Sequence, residues 1–346
     1  MDKIIEAKKQ RYLKFYNSDP SVKRLYHIHV GSDSAVNPSP VPLLWRDNVQ
    51  QRVDWAAKQY ELDMARLSWL ADDLIPYGCC VTGTEIFPEA FGCEVRKPQN
   101  DWPFAVPLIT EASQVKNLKV PKLEDSSLAC LFDMADKIKQ KCGEGALLSL
   151  VDPQTPMDIA ALIWDKNYFY AAMIEAPDAV KELSGMACAL FFDFFDEWFR
   201  RYGKEFIAHY PDYYMPYGVD FSEDEVGAVS PEFFEEFFLP ELVKISGRYG
   251  QCAMHCCASS RHQWENFKKI PNLKMINFLH PNDAKLVTDS TAFFAGHSAL
   301  FPYWQGDGEP ETWLWQLCGD AWVCMDFVVK DDEEAKRLSE KLERIR

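Results

Sequence analysis

From about residue 145 onward, short apolar runs alternate with helical segments, and this alternation constrains the fold more than any other feature of the chain. "ALLSLV" (146–151) reads as a strand. "MDIAALIW" and "APDAVKELSGMACALFFDFFDEWFRRYG" follow as helices, the second opened by Pro177 and Asp178 and stopped by Gly203. "YYMPYGVD" reads as the next strand, and "SPEFFEEFFLPELVKISGRYG" as its helix, with Ser230 as N-cap and Pro231 at the first helical position. The later pairs are "CAMHCC" with "SSRHQWENFKKI", "MINFL" with "NDAKLV", "TAFFAG" with "PETWLWQLCGD", and "AWVCMDFVV" with "DDEEAKRLSEKLERI". Such units predict parallel βαβ pairing. With so many in succession and no Gly-rich dinucleotide loop, a closed (β/α)8 barrel is expected over an open sheet. The first 145 residues are less regular, with "RLYHIHVG" as a first strand and a long helix around 47–69.

Composition narrows the function classes. The 346 residues suit one large barrel, and a chain 47% hydrophobic and 26% charged builds a sizeable core. A net charge of −16 excludes nucleic acid as a partner, since no basic stripe offsets phosphate repulsion. The opening "MDKIIEAKKQRYLKFY" is a charged amphipathic helix without the apolar region of a signal peptide. The nearest approach to a membrane span, "MACALFFDFFDEWF" (186–199), is interrupted by acids. The eleven scattered cysteines read as reduced thiols, mostly in the core. The expectation is a cytoplasmic protein with neither membrane nor nucleic-acid contact.

In a barrel, chemistry sits at the C-terminal ends of the strands, where His255, Cys256, Cys257, Asp220 and Cys324 are expected. Along an extended chain His255 and Cys257 point to one face while Cys256 points away, so the pair can converge on one zinc ion. A catalytic zinc site needs a third protein ligand: Cys324 is the first choice and Cys318 the second. A Cys–His nucleophile is the competing chemistry, but residues two apart on a strand run parallel and not head-on. "GVDFSEDEVGAVSPEFF" crowds Asp220, Glu223, Asp224 and Glu225 after a strand, as acid/base groups, a polar metal ligand or plain solvated surface. Asp152 and Gln154 follow a strand end, lining the mouth or capping the next helix. His297 is expected to end a strand and face the pocket; His27 and His29 alternate on the first strand and can face inward. His209, His262 and His280 read as structural or exposed.

Several segments together resemble the uroporphyrinogen decarboxylase-like superfamily, whose fold is a distorted (β/α)8 barrel. They are "GTEIFPEAFGCEVRKPQNDWPFAVPLITEASQVKNLKVP", "DPQTPMDIAALIW", "GVDFSEDEVGAVSPEFFEEFFLPELVKIS" and "AMHCCASSRHQWENFKKIP". The resemblance implies one α/β TIM-type barrel domain over 1–346 with an N-terminal helical extension, irregular over 1–75 and matching best over 76–346. The decarboxylases of the superfamily carry an early arginine motif for tetrapyrrole carboxylates; the matching stretch here, "HIHVGSDSAV", has no arginine. The closer similarity is to the methylcobamide:coenzyme M-type corrinoid methyltransferases, which carry zinc on an H-x-C…C pattern. Here the usual Gly after H-x-C is Ala258, and Cys324 is followed by Met325.

The resemblance therefore implies a zinc-dependent methyltransferase moving a methyl group between a corrinoid on a small partner protein and a small thiol or methylated substrate. The 14% aromatic content suits a methoxyaromatic donor. His255, Cys257 and Cys324 would hold zinc; Asp220 and Glu223 would shape or protonate the substrate; Asp152, Gln154 and His297 would line the pocket. A homodimer is left open. The rival readings are a metal-free tetrapyrrole decarboxylase, with Arg46 or Arg52 supplying cations, and a barrel that binds a corrinoid or tetrapyrrole without turnover.

Overall fold

The computed structural model describes residues 2–31, 48–98, 102–279, 283–302 and 309–345. Eight strands pair in parallel: β1 (Arg24–Val30), β2 (Tyr77–Gly78), β3 (Leu147–Leu148), β4 (Val219–Ser222), β5 (Cys252–Cys256), β6 (Leu273–Phe278), β7 (Ala299–Pro302) and β8 (Val323–Val329). Six of them form one continuous sheet in the order β1-β8-β7-β6-β5-β4, while β2 and β3 form a separate pair.

The chain around this pair is joined to the edges of the six-stranded sheet by isolated bridges and side-chain bonds and not by ladders. Asp73 N–H donates to the Tyr26 carbonyl at one edge, and Gln154 bridges Ser222 at the other. Pro76 immediately precedes β2 and supplies no backbone donor to a ladder at that end. The α/β architecture with parallel pairing thus stands, but among the described residues the eight strands do not close into one ladder.

The helices pack outside. The 26-residue helix Pro177–Tyr202 begins with proline at its first turn and ends at Gly203, whose φ of +88° suits a residue without Cβ. Phe191, Phe194, Phe195 and Trp198 recur along its buried face, with Phe191 and Phe195 ring centroids 4.6 Å apart. Ser230 caps the next helix by accepting from Phe233 N–H, as its place before Pro231 predicts. That helix widens to a π-turn over Phe234–Phe238, because Pro240 withholds a donor from the helical ladder.

Three sequence readings shift. "YYMPYGVD" is not one strand: Tyr214–Met215 pairs antiparallel with Phe206–Ile207, and β4 begins only after Pro216 and Gly218. "TAFFAG" is the end of a helix, Ala284–Phe294, that buries Phe294 and stops before Gly296 at φ +74°; the strand is "ALFP". "AWVCMDFVV" begins its strand at Val323, so Cys324 lies near the start of β8 and not at its end. All eleven cysteines are free thiols, as expected. No helix among the described residues is long and apolar enough to cross a membrane.

Gly218 sets the entry into β4. Its φ is +103°, and a Cβ there would stand 2.6 Å from the Gln251 carbonyl oxygen. Gly218→Ala is expected to destabilise by more than about 1 kcal/mol, whereas Gly185→Ala, in open space on the long helix, should stabilise by roughly 0.5–1 kcal/mol. Urea unfolding of both variants checks this; equal effects would contradict the steric account.

Candidate metal centre at the C-terminal end of the sheet

Register brings the site together. Ser222 of β4 aligns with His255 of β5, and His255 with Asn277 of β6. The Asn277 side-chain N–H donates to the Phe301 carbonyl at 2.6 Å, which turns its Oδ1 toward His255 Nδ1 at 2.5 Å. Oδ1 can only accept, so Nδ1 carries the proton and Nε2 keeps its lone pair. Burial, together with the neighbouring His209, lowers the His255 pKa and keeps the ring neutral. Asp224, His255 and Cys257 each offer a ligand atom here, all within 4.8 Å of one another. The Cys257 backbone N–H also donates to Asp224 Oδ1 at 2.6 Å, fixing the two residues side by side.

This donor set fits zinc in kind: one neutral imidazole nitrogen, one sulfur and one carboxylate oxygen. Loss of hydration and the adjacent Asp224 carboxylate push the Cys257 thiol up to about 12. A thiolate at neutral pH in this position therefore requires a cation.

The acidic loop is held from below. Asp158, at the start of the helix Pro156–Ile163, accepts the Asp224 N–H at 2.7 Å and the Glu225 N–H at 3.1 Å. Glu225 is itself bound by Lys166 and Tyr170. Glu223 is fully buried beside Asp158; burial and the Asp158 charge raise its pKa well above the ordinary value. Asp158 is raised too, to about 8, chiefly by burial. Backbone donors oppose that rise at Asp158, so of the two carboxyls Glu223 holds its proton more tightly.

Asp220 is fully buried and accepts from the Tyr213 hydroxyl at 2.9 Å, while one of its oxygens is 2.5 Å from His209 Nδ1. His209 Nε2 lies 2.8 Å from Ser222 Oγ and 3.5 Å from Asp152 Oδ1. Burial alone would lower the His209 pKa, but the Asp220 and Asp152 carboxylates outweigh it and raise the value. The rings of His209 and His255 meet edge to face at 6.1 Å. Asp152 accepts from the Gln154 amide at 2.7 Å, which places both on this side of the sheet.

His255 and Cys257 thus meet as expected, and Cys256 turns away into the interior beside Ser260. Cys324 does not join them: its Sγ is 3.7 Å from His27 Nε2, because β8 starts at Val323. Cys318 lies elsewhere as well, its backbone facing Thr291. The third potential donor beside His255 and Cys257 is Asp224. His297 is misread by sequence: it precedes β7, is exposed, and meets the Lys268 carbonyl at the opposite end of the strand. Glu223 supports the loop, with its carboxyl turned toward Asp158. His209, read as structural, is the residue missed; only its place eleven positions before Asp220 hints at the pairing. His262 meets the Val229 carbonyl. Arg52 is buried and donates to the Val81 carbonyl, while Arg46 and His280 lie outside the described residues.

Comparison with known proteins bears on the family and the fold. The family model for uroporphyrinogen decarboxylase (URO-D) matches residues 79–291. Among solved structures, a methyltransferase from Methanosarcina mazei superposes with a TM-score of 0.65 at 14% identity, covering 98% of each chain. No curated protein matches in sequence.

The carboxyl pair makes a pH prediction. Both groups hold their protons more tightly in the folded chain than in the unfolded one. Stability therefore falls as pH rises from about 4, the unfolded value, through the folded range, about 8 for Asp158. Glu223→Gln should make the stability slope between about pH 5 and pH 8 shallower, by up to roughly 1.4 kcal/mol per pH unit. Denaturant unfolding across that window measures it; an unchanged slope would mean that the proton is not shared there.

Proposed function

The chain belongs to the uroporphyrinogen decarboxylase family, and from that premise we propose that it is a methyltransferase of the family with the complete, distorted (β/α)8 barrel. In this reading a methyl group moves between a corrinoid, carried by a small partner protein, and a small thiol or methylated substrate. Zinc would be held by His255 Nε2, Cys257 Sγ and Asp224, and when bound it would supply Lewis acidity toward a sulfur or oxygen of the substrate. The observation that carries the proposal is the Asn277 clamp, which leaves His255 neutral with its free nitrogen among a thiol and a carboxylate.

The remaining roles belong to the chain's own side chains. Asp220 positions His209 and favours its protonated form, so His209 holds a proton on the side of the metal ligands. Where a methylated donor gives up its methyl group, that proton is available to the departing thiolate or phenolate. Asp152 and Gln154 line the same side and orient polar substrate atoms. The metal-free decarboxylase reading needs cations for several carboxylates, and Arg52 is engaged with backbone within the core. The structural likeness to a methyltransferase also favours methyl transfer. A cytoplasmic location, where the corrinoid partner would be met, belongs to the same proposal.

Purification without chelator followed by metal analysis and a methylcobalamin assay tests this. Replacing His255 or Asp224 by Ala, or Cys257 by Ser, should remove about one equivalent of zinc together with methyl transfer. Asn277→Ala should weaken that zinc roughly 10–100-fold while the fold persists. Activity lost with all zinc retained would count against the ligand assignment.

A further inference from the structure

A second cluster stands on the β1–β8 edge of the sheet, apart from the centre just described. His27 and His29 lie two residues apart on β1 and so share a face, and Asp326 of β8 is the register partner of His27. Asp212 reaches them from the segment that follows Phe206–Ile207. His29 Nε2 is 2.8 Å from Asp326 Oδ1 and 3.7 Å from Asp212 Oδ1; His27 Nδ1 is 3.8 Å from the same Asp212 oxygen. The ligand atoms of His27, His29 and Asp326 all fall within 4.8 Å. Phe301 divides this cluster from the first: its ring packs on His27 at 5.4 Å and on Tyr213 at 5.8 Å.

Two features point to a ligand. His27 is fully buried, yet its Nδ1 has no hydrogen-bond partner. The separations of 3.7 and 3.8 Å to Asp212 are too long for hydrogen bonds. They suit donor atoms around a small divalent ion, which at bonds of about 2.0–2.1 Å and tetrahedral angles stand roughly 3.3 Å apart. The outer atoms are oriented accordingly. The Tyr12 hydroxyl meets His27 Nε2 at 2.5 Å and leaves Nδ1 facing the cluster. The Tyr77 hydroxyl donates to Asp212 Oδ2 at 3.3 Å and leaves Oδ1 facing the histidines.

We propose that His27, His29 and Asp326 form a second metal site, with two nitrogen donors and one carboxylate oxygen donor and with the Asp212 carboxylate beside the histidines, for a divalent first-row transition ion. Two imidazoles and two carboxylates neutralise a dication, and Cys324 stands behind His27 on the side away from the ion.

The test is a titration of the full chain with Co2+ alone, followed by absorption spectroscopy. The His255→Ala/Cys257→Ser double variant, stripped with chelator, should still bind about one Co2+ with visible ligand-field bands and no thiolate-to-cobalt charge-transfer band. Adding His29→Gln or Asp326→Asn to that variant should weaken binding at least about 10-fold. In an otherwise wild-type chain the same single substitutions should leave any charge-transfer band from Cys257 in place. That control also serves if the double variant does not fold. No Co2+ bound in a folded double variant, or binding indifferent to His29→Gln and Asp326→Asn, would overturn the proposal and leave a histidine–carboxylate ion-pair cluster. A missing charge-transfer band in the wild-type chain would instead contradict the His255–Cys257 site alone.

Discussion

The candidate centre depends on one hydrogen-bonded relay, from the Phe301 carbonyl through the Asn277 amide to the His255 ring. An isolated histidine at a strand end has two tautomers and a pKa near neutrality, and so no fixed role. The relay removes that freedom, because an amide whose nitrogen is committed to a carbonyl presents only its oxygen. Its members come from three neighbouring parallel strands, so it exists only in the observed register. A slip of one residue would turn each of these side chains to the opposite face.

Around that fixed ring the chain solves a separate problem, which is to keep a carboxylate close to a thiol. Asp224 and Cys257 would repel if both were charged. Asp224 is held there because Asp158 captures the backbone N–H groups of Asp224 and Glu225, and because the Cys257 N–H points at Asp224 itself. Glu223 keeps a proton beneath the loop and thereby spares it a second buried charge. These contacts leave the Asp224 carboxylate beside the Cys257 thiol, and a thiolate there needs a cation as its complement. The second cluster, at His27, His29 and the two aspartates, follows the same logic with oxygen in place of sulfur.

Much of this was legible in the chain. The two-residue spacing of His255 and Cys257 on a short apolar run predicts a shared face at a strand end; His255 lies in β5, Cys257 follows just after its end, and their ligand atoms come within 4.8 Å. Proline and glycine punctuation marked Pro177, Ser230 and Gly203 correctly as helix ends. The misplacements share a cause: apolar runs do not announce where a strand begins. "TAFFAG" buries Phe294 from the end of a helix, and taking it for a strand sent His297 to the wrong end. "AWVC" hid the fact that β8 starts at Val323, which moved Cys324 away from the site. Asp224 stood among four crowded acids with nothing in the sequence to single it out. The role of His209 depends on a hairpin that folds it back onto Asp220, a contact that no spacing rule foretells.

The most direct test of the central claim is anomalous diffraction at the zinc absorption edge, from crystals grown without chelator and soaked in Zn2+. The account predicts a strong peak bounded by His255 Nε2, Cys257 Sγ and the Asp224 carboxylate, with Asn277 still holding Nδ1. No peak there, or zinc bound at Cys324 with His255 and Cys257 unengaged, would contradict it.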